Sequence, residues 1–152
     1  MASSRIRDTI LVVSRSLLTV LFILMGWEKF TNFPGTTFFM SNIGLPFPSF
    51  CAAAALIFEA GAGSFVFLGV FTSSTSFLLA AYTIATAFLG HHYWKVPEAS
   101  QHDMFIHFYK NISIAGGFLA LAIAGPGRFS LDTLMERNRE NRSVSIIPET
   151  NT

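Results

Sequence analysis

The chain has 152 residues, of which 51% are hydrophobic and only 12% charged, with a formal net charge of +1. A soluble domain carries about 25% charged residues, so there is too little charge here to cover a water-facing surface, and the length allows one domain. No basic run is interleaved with aromatics, which argues against nucleic acid as a partner, and the near-zero net charge gives no pull on an acidic one. A hydrocarbon core about 30 Å thick is crossed by about 20 mostly apolar helical residues, and four segments meet that demand. The first runs from Thr9 to Trp27 and is apolar apart from Arg15. Arg5 and Arg7 precede it, as the basic region of a signal peptide would. However, Gly26-Trp27-Glu28-Lys29-Phe30 offers no small-x-small cleavage site, so the segment reads as a retained span.

Thr31 to Pro48 is rich in phenylalanine and punctuated by Pro34, Gly35, Gly44, Pro46 and Pro48. Pro34 suits the opening of a short helix and Gly44 its close, and Phe38, Phe39 and Met40 would press that helix against the membrane interface. The second span runs from Ser49 to Phe71 and contains one charge, Glu59. No charged residue then occurs before Lys95, a stretch too long for one span. Thr72-Ser73-Ser74-Thr75-Ser76 breaks it, and a third span follows from Ser74 to Gly90. Lys95 to Asp103 reads as a short polar loop. The fourth span, Met104 to Ala124, carries His107 and Lys110. Residues 1–132 are thus expected to form an all-α membrane domain, a four-transmembrane-helix bundle with a short interfacial segment between helices 1 and 2. Residues 133–152 are charged, have few large apolar side chains, and are expected as a disordered tail.

Lysine and arginine near the span ends set orientation. Arg5 and Arg7 precede the first span, and Arg128, Arg137, Arg139 and Arg142 follow the fourth. Lys29 and Lys95 alone mark the other side. The expectation is a multi-pass protein with both termini in the cytoplasm and Trp27, Tyr93, Trp94 and Tyr109 as an outer aromatic belt.

Charges inside spans are costly, so their faces carry information. Arg15, Thr19, Phe22, Gly26 and Lys29 recur at helical spacing on the first span. Ala52, Ala55, Glu59, Ala62, Val66 and Gly69 do so on the second, and Asp103, His107, Lys110, Ile114 and Gly117 on the fourth. Thr75, Tyr82 and Thr86 make a weaker stripe on the third. These faces should meet in the centre of the bundle, where small residues permit close approach. Counting depth along straight helices puts Glu59 nearest Lys110, with Arg15 as a second cationic partner. Such a pairing serves either to lock the bundle or to build a site.

The histidines, His91, His92, His102 and His107, all fall toward the outer side. Nothing fixes two of them as facing axial ligands, so no metal site is expected and hydrogen bonding or proton relay is the favoured role. Cys51 is the single cysteine. It reads as a small hydrophobe in a helix, and there is no dithiol, flavin fingerprint or zinc pattern.

Several motifs together resemble the DoxX family of bacterial inner-membrane proteins. They are Gly26-Trp27-Glu28-Lys29-Phe30, Gly44-Leu45-Pro46, Glu59 with Gly63 and Gly69, His91-His92-Tyr93-Trp94, Phe108-Tyr109-Lys110-Asn111 with Gly116-Gly117, and Gly125-Pro126-Gly127 followed by Ser130-Leu131-Asp132. The likeness covers about residues 10–132. It departs at Ile106-His107, where a histidine enters the motif, and in the longer charged tail. DoxX relatives include a subunit linked to quinone reduction during thiosulfate oxidation. The resemblance therefore implies a quinone-linked redox accessory subunit that acts with a partner oxidoreductase and is not an enzyme on its own. Its site would use the family-like Lys29, Glu59, Lys110 and Asn111, to which the residues add His107, in a polar pocket in the outer half of the bundle. The Phe-rich loop would serve as its lid. A quinone needs an apolar slot, a donor to each carbonyl and a proton source, which Lys110, His107, Tyr82 and Glu59 would supply. The competing expectation is a non-enzymatic scaffold or a small transporter, and transport through four short spans would require a homo-oligomer.

Overall fold

The computed structural model describes residues 2–145, and side chains for 5–142. Helix α1 covers Ala2–Thr31. A short helix α2, Phe33–Asn42, follows at once. The second span, α3, covers Pro48–Leu68, the third, α4, Thr72–Gly90, and the fourth, α5, Glu98–Ala124. A single 3-10 turn at Tyr93–Lys95 joins α4 to α5, and α6 covers Leu131–Ser145. Four of these helices are long and apolar enough to cross a membrane. The first, third and fourth begin earlier than their apolar runs alone suggest, because in lipid every backbone group needs an internal partner and the helix continues into the interface. The second instead stops at Leu68, short of the expected Phe71. The break lies at residues 69–71, and residues 72–76, expected as the break, form the first turns of α4. The Lys95–Asp103 loop is accordingly much shorter than expected, since α5 already starts at Glu98.

Local chemistry explains the breaks. Asn32 caps α2 by accepting from the Gly35 amide at 3.2 Å, and Pro34 occupies the first turn. Gly44, at φ +78°, closes the helix, with Leu45 N–H donating to Met40 O at 3.1 Å and Gly44 N–H to Ser41 O at 3.0 Å. The same pair of bonds ends α3: Val70 N–H to Phe65 O at 2.8 Å and Gly69 N–H to Val66 O at 3.1 Å, with Gly69 at φ +75°. Within α3, residues Ile57–Ala62 wind as one π-helical turn around Glu59.

The helices pack as two antiparallel pairs, α1 against α3 and α4 against α5. Gly26 of α1 lies so close to α3 that a Cβ there would sit 2.5 Å from the Ala60 amide nitrogen. The seam between the pairs is filled by Phe22, Val66, Leu79, Ala80, Ala115, Phe118 and Leu121. Phe22 and Phe118 meet edge to face at 5.3 Å. Outward faces are almost wholly apolar, from Leu17 and Leu24 to Ile123. Such continuous exposure suits lipid and not water.

One expected pairing is corrected here. Arg15 does not approach Glu59. Its guanidinium is buried at the terminal end of the bundle and donates to the backbone carbonyls of Pro126 (2.9 Å) and Phe129 (2.5 Å). The turn that follows α5 thus takes the role assigned to a carboxylate. Asp132 completes this clasp: its carboxylate accepts from the amides of Phe71 (2.8 Å) and Thr72 (3.0 Å) and from the Thr72 hydroxyl (3.2 Å), capping α4. Of the stretch 133–152 expected as a disordered tail, residues 133–145 belong to helix α6, Leu131–Ser145, started by Ser130, whose hydroxyl accepts from Thr133 N–H at 3.2 Å. The remainder of that expectation, residues 146–152, lies outside the described residues.

Candidate functional site

At the end of the bundle away from the termini, the two helix pairs part around a cavity of about 490 Å³. The π-helical turn of α3 presents Glu59 to it. The wider turn re-aims one side chain without ending the helix, a device frequent at functional sites. Glu59 Oε1 accepts from the Tyr82 hydroxyl of α4 at 2.7 Å. Lys29 Nζ, near the last turn of α1, lies 2.7 Å from Glu59 Oε2, with 17% of the lysine and 12% of the glutamate side chain exposed. The ammonium approaches off the hydrogen-bonding direction, so Oε2 is ion-paired but makes no directed hydrogen bond. Phe58 stacks on Tyr82 at 5.1 Å with the rings 1° from parallel, a flat apolar wall beside the triad.

A second polar arm comes from α4 and α5. Lys110 Nζ and His107 Nδ1 are 3.0 Å apart. Lysine has only protons to give, so a neutral His107 accepts at Nδ1 and carries its proton on Nε2. The His107 ring stacks on His91 at 5.2 Å, and His91 Nδ1 is buried without a hydrogen-bond partner. Asn111 donates weakly to the Thr86 hydroxyl at 3.4 Å, and Thr86 donates to Thr83 O at 2.9 Å. The remaining walls are apolar, and Phe39, Met40, Ile43 and Leu45 from α2 and its turn roof them.

All five residues singled out in the sequence, Lys29, Glu59, His107, Lys110 and Asn111, line this one cavity. The expected pairing among them is corrected: the partner of Glu59 is Lys29, and Lys110 belongs to the histidine arm. Straight-helix depth counting failed because the lysine stem reaches down from the helix end and the π turn shifts the carboxylate. Tyr82, whose stripe was weak, proves to be the second partner of Glu59. Sequence reasoning missed His91 and Cys51 as lining residues. Cys51 is packed with its Sγ 3.2 Å from Pro46 O. Among the described residues no three His, Cys, Asp or Glu side chains are grouped as metal ligands would be.

The sequence profile of the DoxX family matches residues 10–92. The chain is 40% identical over 126 residues to "Inner membrane protein YphA" of Escherichia coli (strain K12), covering 83% of this chain and 90% of that one. It is 36% identical over 133 residues to "Inner membrane protein YqjF" of the same organism, covering 88% of this chain and 97% of that one. No solved structure matches it.

Proposed function

The chain belongs to the DoxX family, and from that footing we propose that it is an inner-membrane subunit that binds a quinone head group beside a partner oxidoreductase. One observation carries the reading: a single apolar chamber holds two donor-bearing arms, Lys29–Glu59–Tyr82 and Lys110–His107 with Asn111. A quinone supplies the electron-accepting ring when bound. The chain's part is to orient it. Lys110 and the Asn111 amide would hold one carbonyl oxygen and Lys29 the other, and the Phe58–Tyr82 wall would pack against the ring. Glu59 would be the carboxylate that exchanges a proton there. The sequence has no cysteine pair or flavin fingerprint through which electrons would pass onward, so that half of the chemistry falls to a partner. The self-contained Lys29–Glu59–Tyr82 triad equally favours a second reading, a scaffold in which these groups only hold helices in register.

Cys51 makes the test direct, because it is the single cysteine and lines the cavity. A short-tailed quinone is expected to slow alkylation of Cys51, quench tryptophan fluorescence and raise the unfolding midpoint of the purified protein. Lys110→Ala should weaken all three about tenfold, equivalent to about 1.4 kcal/mol. An unresponsive wild type, or equal responses in wild type and variant, leaves the scaffold reading.

The orientation follows the basic residues of the two terminal segments. A reporter fused after Asp132 is expected to be active only in its cytoplasmic form, and one inserted near Glu98 only in its periplasmic form. Reversal at both sites would invert the assignment.

A further inference from the structure

We propose that the Lys110 arm of the cavity is an anion subsite, which takes the oxyanion head, carboxylate or phosphate, of a single-chain amphiphile. This goes beyond the quinone reading and does not rest on it.

The charge balance of the cavity points there. Lys29 and Glu59 cancel each other at 2.7 Å. Lys110 is the remaining lysine of the lining, and no ion pair to it is formed among the described residues. With neutral histidines the lining is therefore left with one positive charge inside a membrane-embedded chamber. Low-dielectric surroundings strengthen the attraction between that charge and an incoming anion, while a neutral ligand leaves the charge standing. The nearest neighbours add donors and no acid. Only one ammonium proton of Lys110 is used, on His107 Nδ1, so two remain. His91 Nδ1 is buried and unpartnered beside the same stack. The Asn111 amide is held only by a long 3.4 Å bond and is free to turn.

The walls then select what carries the anion. Phe22, Met25, Phe39, Met40, Ile43 and Leu89 are apolar and would desolvate an inorganic ion without recompense. A tail filling the space among them recovers apolar burial. At about 490 Å³ the chamber matches sites for drug-sized ligands, enough for one chain and its head.

The test uses the full protein in nanodiscs of neutral lipid. Dodecanoate and dodecyl phosphate are compared with dodecanol, with dodecyltrimethylammonium, and with acetate and inorganic phosphate. The readouts are the alkylation rate of Cys51 and the unfolding midpoint. A cysteine placed outside the cavity by Ile123→Cys in a Cys51→Ser background reports effects of the ligand on the bilayer. Both anionic amphiphiles are expected to protect Cys51 and raise the midpoint, with no protection at position 123. Dodecanol, the cationic amphiphile and the two small anions should do neither. Lys110→Met should weaken dodecanoate about tenfold or more, and Lys110→Arg should restore it. Protection by dodecanol equal to that by dodecanoate overturns the proposal within the wild type alone. So does undiminished dodecanoate binding by Lys110→Met, or protection by acetate or phosphate as strong as by the amphiphiles. The quinone series is read separately with neutral ligands, so either proposal fails without deciding the other.

Discussion

Lys29→Met is expected to destabilise the bundle by about 3 kcal/mol in reversible unfolding in detergent, the range for stranding one member of a buried ion pair. Glu59→Gln should cost less, about 1–2 kcal/mol, for a geometric reason. Lys29 stands two residues from the end of α1 at Thr31 and reaches the interface when released. Glu59 lies eleven residues into α3, about 16 Å along the helix, and has no such exit. The glutamine also keeps an acceptor for the Tyr82 hydroxyl. Combining Lys29→Met with Glu59→Gln removes both charges, and the double variant should be more stable than the sum of the single losses predicts. The same cycle with Lys110→Met in place of Lys29→Met should be additive to within about 0.5 kcal/mol. Coupling to Lys110 and not to Lys29 would contradict the ion pair.

Gly69→Ala is the second large effect, at the opposite end. The residue sits at φ +75°, where a Cβ costs about 1 kcal/mol. The added carbon would also collide with Arg15 Nη1 and fall 3.0 Å from Ser130 Cα. Arg15 cannot swing away freely, because two carbonyls hold it, and Ser130 presents backbone. A total loss of about 3 kcal/mol or more is expected, through displacement of the turn that Arg15 and Asp132 fasten. Gly116→Ala is the matched control, since a Cβ there meets nothing within 4 Å. In a regular helix that change should be neutral or stabilising by up to about 1 kcal/mol. Equal losses in the two variants would remove the clasp as the cause.

These two regions also show what could be read before the structure. The spans were legible because charge is so scarce between Glu59 and Lys95 that lipid leaves no other reading. The lining of the cavity was legible because expensive side chains fall on interior faces at helical spacing, and the motifs carried by Lys29 and Asn111 add the rest. Pairing was not legible. Which cation meets Glu59 depends on a π turn that no pattern in Ile57–Ala62 announces, and on how far a flexible lysine reaches. The partners of Arg15 were hidden for a different reason. They are backbone carbonyls after Gly125, made available by a turn, and counting opposite charges can never find them. Likewise α6 is polar beyond its first turns, where Leu131, Leu134 and Met135 lie, so its apolar stripe is too short to announce a helix.

The capping of α4 by Asp132 has a consequence for the order in which the molecule is made. Synthesis delivers the N-terminal end first, so the third span is made before the side chain that caps its opening amides at Phe71 and Thr72. Their acceptor lies some 60 residues downstream. The fastening between the two helix pairs is therefore the last step of assembly, made only after the fourth span has been threaded and the chain has turned back at Gly125. A nascent chain halted before Asp132 holds every span it needs and still lacks its catch.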